Sequence, residues 1–185
     1  MKIKPAFKPG EVVMQLNRRD DLMLEDSLAE SERAPFKLKE ILVPVDFSEP
    51  SAKALQYAIP FAEKFGARIT LLHVLEPRIY PEDTIVPPDI EAIQPTCLRK
   101  TRQELEELRR KKLQPEVDSK SIVLVGVPHQ QIVECARFSK ADLIIIATRG
   151  RSGFKHFVLG STAERVVRHA PCPVLTVRED ERDFV

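Results

Sequence analysis

The sequence predicts an α/β domain in which five parallel strands lie between two layers of helices. Short apolar runs such as KEILVPVD (39–46) and ADLIIIATRG (141–150) alternate with stretches whose apolar residues recur at helical spacing. The runs are apolar on both faces, which is typical of parallel strands that helices cover on both sides. With 185 residues and 43% hydrophobic content, the chain can form one such core and an appended segment.

The appended segment is predicted at residues 1–37, and the domain at 38–180. KPAFKPG (4–10) is turn-like, and RRDDLMLEDSLAESER (18–33) is strongly charged. We expect residues 1–37 to form an N-terminal arm or a partly disordered extension, in which the leucines around Leu22 could lie on a short amphipathic helix.

The first strand of the domain is predicted at 39–46, and a helix follows it. Ser48 is the candidate N-cap of that helix, Gly66 is its stop, and Pro60 should kink it or end its regular part. A second strand is predicted at 67–77, before a proline-rich connection (77–95) that is too broken for regular structure.

The remaining elements keep the same alternation. Leu98, Leu105 and Leu108 share one face of a predicted surface helix, and Pro128 stands where a helix start favours proline. The predicted elements are a helix over 96–113, a strand at 119–126, a helix from 128, a strand at 141–150, a helix at 161–170 and a last strand at 172–179.

Composition narrows the function classes. The net charge is +1 and no aromatics are interleaved with basic residues, so nucleic acid is an unlikely partner. The three cysteines, at positions 97, 135 and 172, are widely spaced, which argues against a disulfide framework and a zinc site and favours the reducing cytoplasm. No apolar run is long enough to span a bilayer.

The stretch ATRGRSGFKHFVLGST (147–162) is the candidate binding loop. It holds three of the six glycines of the chain, at 150, 153 and 160, among basic residues that include Arg149. Ligands of such sheets bind beyond the carboxyl ends of the strands, where the strand order reverses. There Asp46 would accept from ribose hydroxyls, while Gly150, Gly160, Ser161 and Thr162 would present amides and hydroxyls to phosphates. The glycines would let a phosphate oxygen approach the main chain and let amides point inward in conformations closed to other residues.

Plainer interpretations of the same residues remain open. The glycines could be turn formers, Asp46 could serve the following helix as a cap, and His73 could be a hydrogen-bonded core histidine. No P-loop, GxGxxG or GxSxG motif is present.

Four blocks of the sequence together resemble the universal stress protein family. They are VPVDFSEPSAKAL, TLLHVLEP, VGVPHQQIVECA and ATRGRSGFKHFVLGSTAERVVRHAPCPVLTV. The resemblance implies a five-stranded parallel sheet of order 3-2-1-4-5, of the adenine nucleotide alpha hydrolase-like type. It also implies homodimers through the last strand, around Val174 to Val177, and ATP binding through a G-x2-G-x9-G-[S/T] signature in some members.

That signature falls on Ala147, Gly150, Gly160 and Ser161, so alanine replaces its first glycine. A positive φ at Ala147 would cost about 1 kcal/mol, whereas a regular strand end would cost almost nothing. The resemblance further implies contacts with the base, sugar and phosphates by Pro44, Val45, Asp46, Val74, Ile146, Ala147, Thr162 and Ala163.

These observations predict a protein that binds ATP or a related adenine nucleotide, with or without Mg²⁺, and acts as a dimer in stress response or signalling. One alternative is an enzyme that slowly hydrolyses ATP or phosphorylates itself, although no general base or metal-binding carboxylate pair can be named. The other is a dimeric interaction module without nucleotide.

Overall fold

The computed structural model describes residues 37–76, 95–150 and 159–182, together with the backbone of 2–5 and 12–15. The chain divides into two compact units, 1–37 and 38–185. In the first unit, β1 (Lys2–Pro5) pairs antiparallel with β2 (Val12–Gln15). This pairing was not predicted, and the turn-like assignment of residues 4 and 5 was wrong. Ile3 lies opposite Met14 in this pairing. The apolar residues of these two short strands were the available signal of strand structure, and the neighbouring prolines obscured it.

In the second unit, strands alternate with helices along the chain. In chain order it consists of β3 (Glu40–Pro44), α1 (Glu49–Phe65), β4 (Arg68–Leu75), α2 (Pro95–Lys112), β5 (Ser119–Val125), α3 (Pro128–Ser139), β6 (Leu143–Ala147), α4 (Ser161–His169) and β7 (Val174–Val177). Residues 77–94, where the broken connection is predicted, and the helix predicted around Leu22 lie outside the described residues. Pro95, predicted to close that connection, instead begins α2.

The five strands of this unit form one parallel sheet in the order β5-β4-β3-β6-β7. Counted from the first strand of the domain, this is the predicted order 3-2-1-4-5. The direction of strand addition reverses between β3 and β6. The crevice expected of such sheets therefore lies beyond the carboxyl ends of these two strands.

Each face of the sheet is covered by two helices. Ile41 and Val43 of β3 pack with α1 and α2, whereas Leu42 between them packs with α3 and α4. All three side chains are fully buried. This alternation makes β3 the centre of the domain, because both cores are built on it.

Helix α1 begins and ends where the sequence predicts. Ser48 is the N-cap, and its side chain accepts a hydrogen bond from the Ser51 amide. Gly66 is the C-cap, in the left-handed conformation at φ 64°. Pro60 does not end the helix, which continues to Phe65. Its position explains this, because Pro60 and Gln56, whose carbonyl loses its partner, both lie on the exposed side, where water can replace the bond.

The edge strand β5 is anchored by charged groups of α2. Glu106 accepts hydrogen bonds from Arg109, Arg110 and the Ser121 hydroxyl, at 2.7 to 3.0 Å. The Arg109 guanidinium is the main reason that the pKa of Glu106 falls to about 2. This edge of the sheet is therefore polar and engaged by side chains, which is a common protection for an exposed strand.

Among the described residues, no helix combines the length and the apolar character that crossing a membrane requires.

Helix α3 ends on a residue that glycine would suit better. Lys140 is the C-cap at φ 53°, and its amide donates to the carbonyls of Ala136 and Arg137. A left-handed conformation strains any residue with a Cβ atom. Lys140→Gly should therefore raise the free energy of unfolding by about 1 kcal/mol in urea titrations. Lys140→Ala is the control, since it keeps the Cβ atom and should give no gain. An equal gain in both variants would contradict this account.

Candidate functional site

Three strand ends meet at the carboxyl edge of the sheet. In β3, Pro44 pairs with Leu72 of β4, and the next amide, that of Val45, donates to the Leu72 carbonyl at 2.8 Å. On its other side β3 pairs with β6. The predicted site residues that follow β3, those at the end of β4 and those at the end of β6 are thus brought to one edge by neighbouring strands.

The turn after β3 is fixed by His73. The Nδ1 of His73 lies 2.8 Å from the Val45 carbonyl oxygen, so Nδ1 carries the proton and donates. The His73 ring also contacts the Phe47 ring, with 4.7 Å between centroids. Phe47 is held at φ 62°, a conformation that side chains with a Cβ atom rarely adopt. The hydrogen-bonded interpretation of His73 fits this geometry, and its bond and ring contact stabilise a strained turn.

Asp46 is fixed by the residue that caps α1. Its Oδ1 accepts from the Ser48 amide at 3.1 Å and from the Ser48 hydroxyl at 2.5 Å. The Ser48 oxygen in turn accepts from the Ser51 amide at 3.3 Å, and the Ser51 hydroxyl lies 3.4 Å from the Asp46 amide. Asp46 is therefore not the cap itself. Its carboxylate is oriented by the cap, which leaves the position of its second oxygen, Oδ2, well defined.

The loop that follows β6 closes on itself at Thr148. The Thr148 amide donates to Val177 of β7, and the Thr148 carbonyl accepts from the Gly160 amide at 2.7 Å. This bond places the start of α4 directly beyond the end of β6. It also means that the Gly160 amide is used within the protein, so the amides available to an anion are those of the first residues of α4.

The start of α4 has the features of an anion site. Gly160 is the N-cap and offers no side chain to the amides of the first turn. The first amides of a helix have no carbonyl partner within it, and they carry the positive end of the helix dipole. Ser161 is exposed, Thr162 is half-buried and Ala163 is buried, so the two hydroxyl residues are the more accessible.

Gly150 and Gly160 are not required for their backbone conformation. Neither has a positive φ, and the value at Gly160 is −71°. The expectation that they adopt conformations closed to other residues was therefore wrong for these two positions. Space is the constraint instead: a Cβ atom at Gly160 would lie 3.1 Å from the Thr148 carbonyl oxygen, and one at Gly150 would lie 2.5 Å from Asp46 Oδ2.

Ala147 occupies a regular strand end. It is the last residue of β6, pairs with Val177 and does not have a positive φ. Of the two costs that the sequence leaves open for alanine at this position, the negligible one applies. The absent first glycine of the signature therefore introduces no backbone strain.

The other predicted site residues differ in their exposure to solvent. Pro44, Val45, Ile146 and Ala147 are buried. Val74, at the end of β4, and Arg149, after Thr148, are half-buried. Gly153 lies outside the described residues, as do Arg151, Lys155 and His156 of the basic loop.

Histidine adds little positive charge at the start of α3. The pKa of His129 is lowered, first by burial and then by the charges of Arg165 and His169. His129 is therefore mostly neutral at pH 7.

In the part of the chain that the structure describes, no group of three His, Cys, Asp or Glu side chains could hold a metal ion.

Two contributors were missed in the sequence. Ser48 was identified only as a helix cap, although it also orients Asp46. The Asp-x-Ser spacing, which is typical of a side-chain turn, was the available signal. Thr148 contributes through its carbonyl, and no sequence signal marks a main-chain role of this kind.

The profile of the universal stress protein family matches residues 37–178. The chain belongs to this family. Among its members, universal stress protein MJ0531 of Methanocaldococcus jannaschii is 33% identical over 146 residues, an alignment that covers 78% of this chain and 85% of the relative. The solved structure of MJ0577 from the same organism matches with a TM-score of 0.67 at 28% identity, over 80% of this chain and 100% of that one.

Solved family members include complexes with adenine nucleotides. One is a universal stress protein in complex with cAMP, with a TM-score of 0.56 and 21% identity over 78% of this chain and all of that one. Another is the Archaeoglobus fulgidus protein in complex with dAMP, with a TM-score of 0.54 and 22% identity over 77% of this chain and 99% of that one. At these identities the likeness shows the fold, and the ligands are properties of those proteins.

The double role of Ser48 can be tested by stability. Ser48→Ala removes the oxygen that accepts from the Ser51 amide and the hydroxyl that donates to Asp46. We expect it to lower the free energy of unfolding by about 1 kcal/mol, measured by urea titration. Ser48→Thr keeps the hydroxyl and should lose much less. Equal losses in the two variants would show that the hydroxyl is not the group that matters.

Proposed function

We propose that the domain binds an adenine nucleotide, ATP or a close relative, at the carboxyl edge of β3, β4 and β6. One observation carries this proposal. The uncapped start of α4 lies immediately beyond β6, and the oriented carboxylate of Asp46 lies on the adjacent strand end. An anion site and a hydroxyl acceptor are thus held side by side, as a ribose with an attached phosphate chain requires.

Each part of the nucleotide has candidate partners. The amides of Ser161, Thr162 and Ala163, with two hydroxyls, would hold phosphates at the start of α4. Asp46 would accept from the ribose. Val74, at the end of β4, would lie at the edge of the base. Mg²⁺, if it accompanies the phosphates, would reduce their charge, and it needs no protein ligand for that role.

The base and sugar would also meet a set of main-chain and apolar groups. The residues proposed for this contact are Pro44, Val45, Ile146 and Ala147, and Arg149, Gly150 and Gly153 are proposed to lie along the phosphate chain.

The cAMP and dAMP complexes support the choice of ligand class, because in those proteins the same fold holds an adenine nucleotide. The strain-free Ala147 weighs against the alternative of a module without nucleotide, since that alternative depended on damage at this position. In this proposal the nucleotide stabilises the folded form by mass action and sets the state that a partner recognises during stress response or signalling.

We also propose the reducing cytoplasm as the compartment. The three cysteines are free, and burial raises the pKa of the thiols of Cys135 and Cys172. Such thiols are largely protonated and unreactive at neutral pH. They behave as apolar core groups, which fits a protein that has no use for a disulfide.

The proposal predicts a specific effect of charge at Ser161. Ser161→Asp adds a carboxylate where the helix dipole favours one, so α4 should remain folded. The same carboxylate would repel the phosphates, and we expect the affinity for ATP to fall at least about tenfold in calorimetric titrations. Ser161→Asn has nearly the same size without the charge and is the control. Equal affinities for Asp and Asn variants would show that the phosphates bind elsewhere.

The purified wild-type protein can be used to distinguish nucleotide binding from the two alternatives, an enzyme and a module without nucleotide. Denaturing the purified protein and analysing the released molecules by mass spectrometry would reveal a nucleotide that copurifies. Bound nucleotide without turnover supports the proposal, steady phosphate release supports an enzyme, and no binding at millimolar ATP supports a module without nucleotide.

We further propose that β7 mediates a homodimer. The two edges of the sheet differ: β5 is engaged by charged side chains, whereas β7 carries Val174, Leu175 and Val177 with no such network among the described residues. Val174 and Leu175 are only half-buried. A second copy of β7, paired across a two-fold axis, would cover these groups and satisfy the unpaired backbone.

The hydrogen bonds of β7 identify the atoms that a partner would use. The carbonyl of Pro173 accepts from the Ile144 amide of β6, and the carbonyl of Val177 accepts from the amide of Thr148, the residue that follows β6. Because main-chain groups alternate in direction along a strand, the amide and carbonyl of Thr176 point to the open edge.

Thr176→Pro should therefore abolish the dimer and leave the pairing with β6 intact, because it removes only an outward amide. Sedimentation equilibrium should show monomers for this variant and dimers for Thr176→Val, which keeps the amide. A dimeric Thr176→Pro variant would place the interface elsewhere.

A further inference from the structure

Gly150 has an unusual reason to be glycine. Its backbone conformation is open to any residue, because its φ is not positive. The residue is also exposed, so no packed core surrounds it. Among the described residues, Asp46 supplies the contact that excludes a side chain: its Oδ2 would lie 2.5 Å from a Cβ atom at this position, and its Cγ would lie at 3.5 Å.

The contact is restrictive because the carboxylate is held from the other side. Asp46 Oδ1 accepts from both the amide and the hydroxyl of Ser48, at 3.1 and 2.5 Å. Rotating the carboxylate away from an added methyl group would stretch or break these bonds. Non-bonded carbon and oxygen atoms do not approach to 2.5 Å, so one of the two residues would have to move.

We propose that Gly150 determines the specificity for the sugar by giving the Asp46 carboxylate its place. This inference rests on the proposed function, and it refines the assignment of Gly150 to the phosphate chain. The carboxylate lodges in the space where other residues have a Cβ atom. Ser48 and Gly150 thus set its orientation from opposite sides. In that orientation Asp46 accepts from a ribose hydroxyl, so the site prefers ribonucleotides to 2′-deoxyribonucleotides.

The two explanations of Gly150 predict different behaviour when Asp46 is shortened. If the glycine gives room to a phosphate oxygen, then Gly150→Ala weakens binding whatever residue stands at position 46. If it gives room to the carboxylate, then the effect of Gly150→Ala disappears once the carboxylate is removed. Such dependence of one substitution on another is what a double-mutant cycle measures.

The experiment compares Gly150→Ala, Asp46→Ala and the double variant, with ATP and 2′-deoxy-ATP as ligands in calorimetric titrations. We expect the wild-type protein to prefer ATP about tenfold, the effect of one hydrogen bond to a charged acceptor. Gly150→Ala and Asp46→Ala should each reduce this preference to about twofold or less. The double variant should bind ATP within about twofold of Asp46→Ala.

Asp46→Asn provides the matched control, because the amide has nearly the size of the carboxylate. Adding Gly150→Ala to Asp46→Asn should still crowd the side chain. In the absence of nucleotide, we expect Gly150→Ala to lower the Tm by about 3 °C in the Asp46 and Asp46→Asn backgrounds and to have no effect beyond error in the Asp46→Ala background.

The outcomes distinguish this inference from the proposed function. Equal losses of ATP and 2′-deoxy-ATP affinity on Gly150→Ala, or an undiminished loss in the Asp46→Ala background, would overturn the role of Gly150 while nucleotide binding stands. A wild-type protein that binds neither nucleotide would overturn the proposed function. The Tm comparison would then still decide whether the carboxylate occupies this space, and equal shifts in all three backgrounds would refute it.

Discussion

The parallel pairing of β3 with β6 is the constraint on which the candidate site depends. Ile41 lies opposite Leu143, so two strands far apart in the chain become neighbours at the centre of the sheet. The turn after β3 carries Asp46, and the loop after β6 leads to α4. Their contact at Gly150 exists only because these strands run side by side in the same direction. The apolar residues that bury β3 on both faces thus also determine where polar groups meet beyond its end.

The secondary structure of the domain was largely readable in the sequence, because apolar periodicity and end signals agreed. Ser48 and Gly66 bound α1 as expected, and Pro128 begins α3. The strand order was predicted from the family resemblance, because periodicity alone does not give the order of the strands in the sheet. Prolines were harder to interpret: Pro5 lies in a strand where a turn was predicted, and Pro60, predicted to kink its helix or to end its regular part, does not end the helix. At Pro60 the effect of proline depends on whether the carbonyl that loses its hydrogen bond faces solvent, which the sequence does not state.

The side-chain geometry of the site was less predictable. Gly150 and Gly160 were recognised in the sequence, but one of the two reasons given for them, an unusual backbone conformation, is not supported by the structure. Whether a glycine provides an unusual φ or only empty space depends on residues distant in the chain, here Asp46 and Thr148. Such neighbours emerge only once the sheet is assembled. The strained turn at Phe47 could not be predicted either, because it is stabilised by the bond and ring contact of His73.

The contrast between the two sheet edges has a consequence for how far this protein can associate. In a pair joined through β7, both outer margins are formed by β5, where Glu106 accepts from Ser121 and its ion-pair partner Arg109 donates to the Ser119 hydroxyl at 3.0 Å. A third copy would have to add its strand beside these ion-paired groups, which opposes edge-to-edge growth. In the proposed dimer, growth of the sheet would therefore stop at two chains, and the sheet would not extend into a fibre.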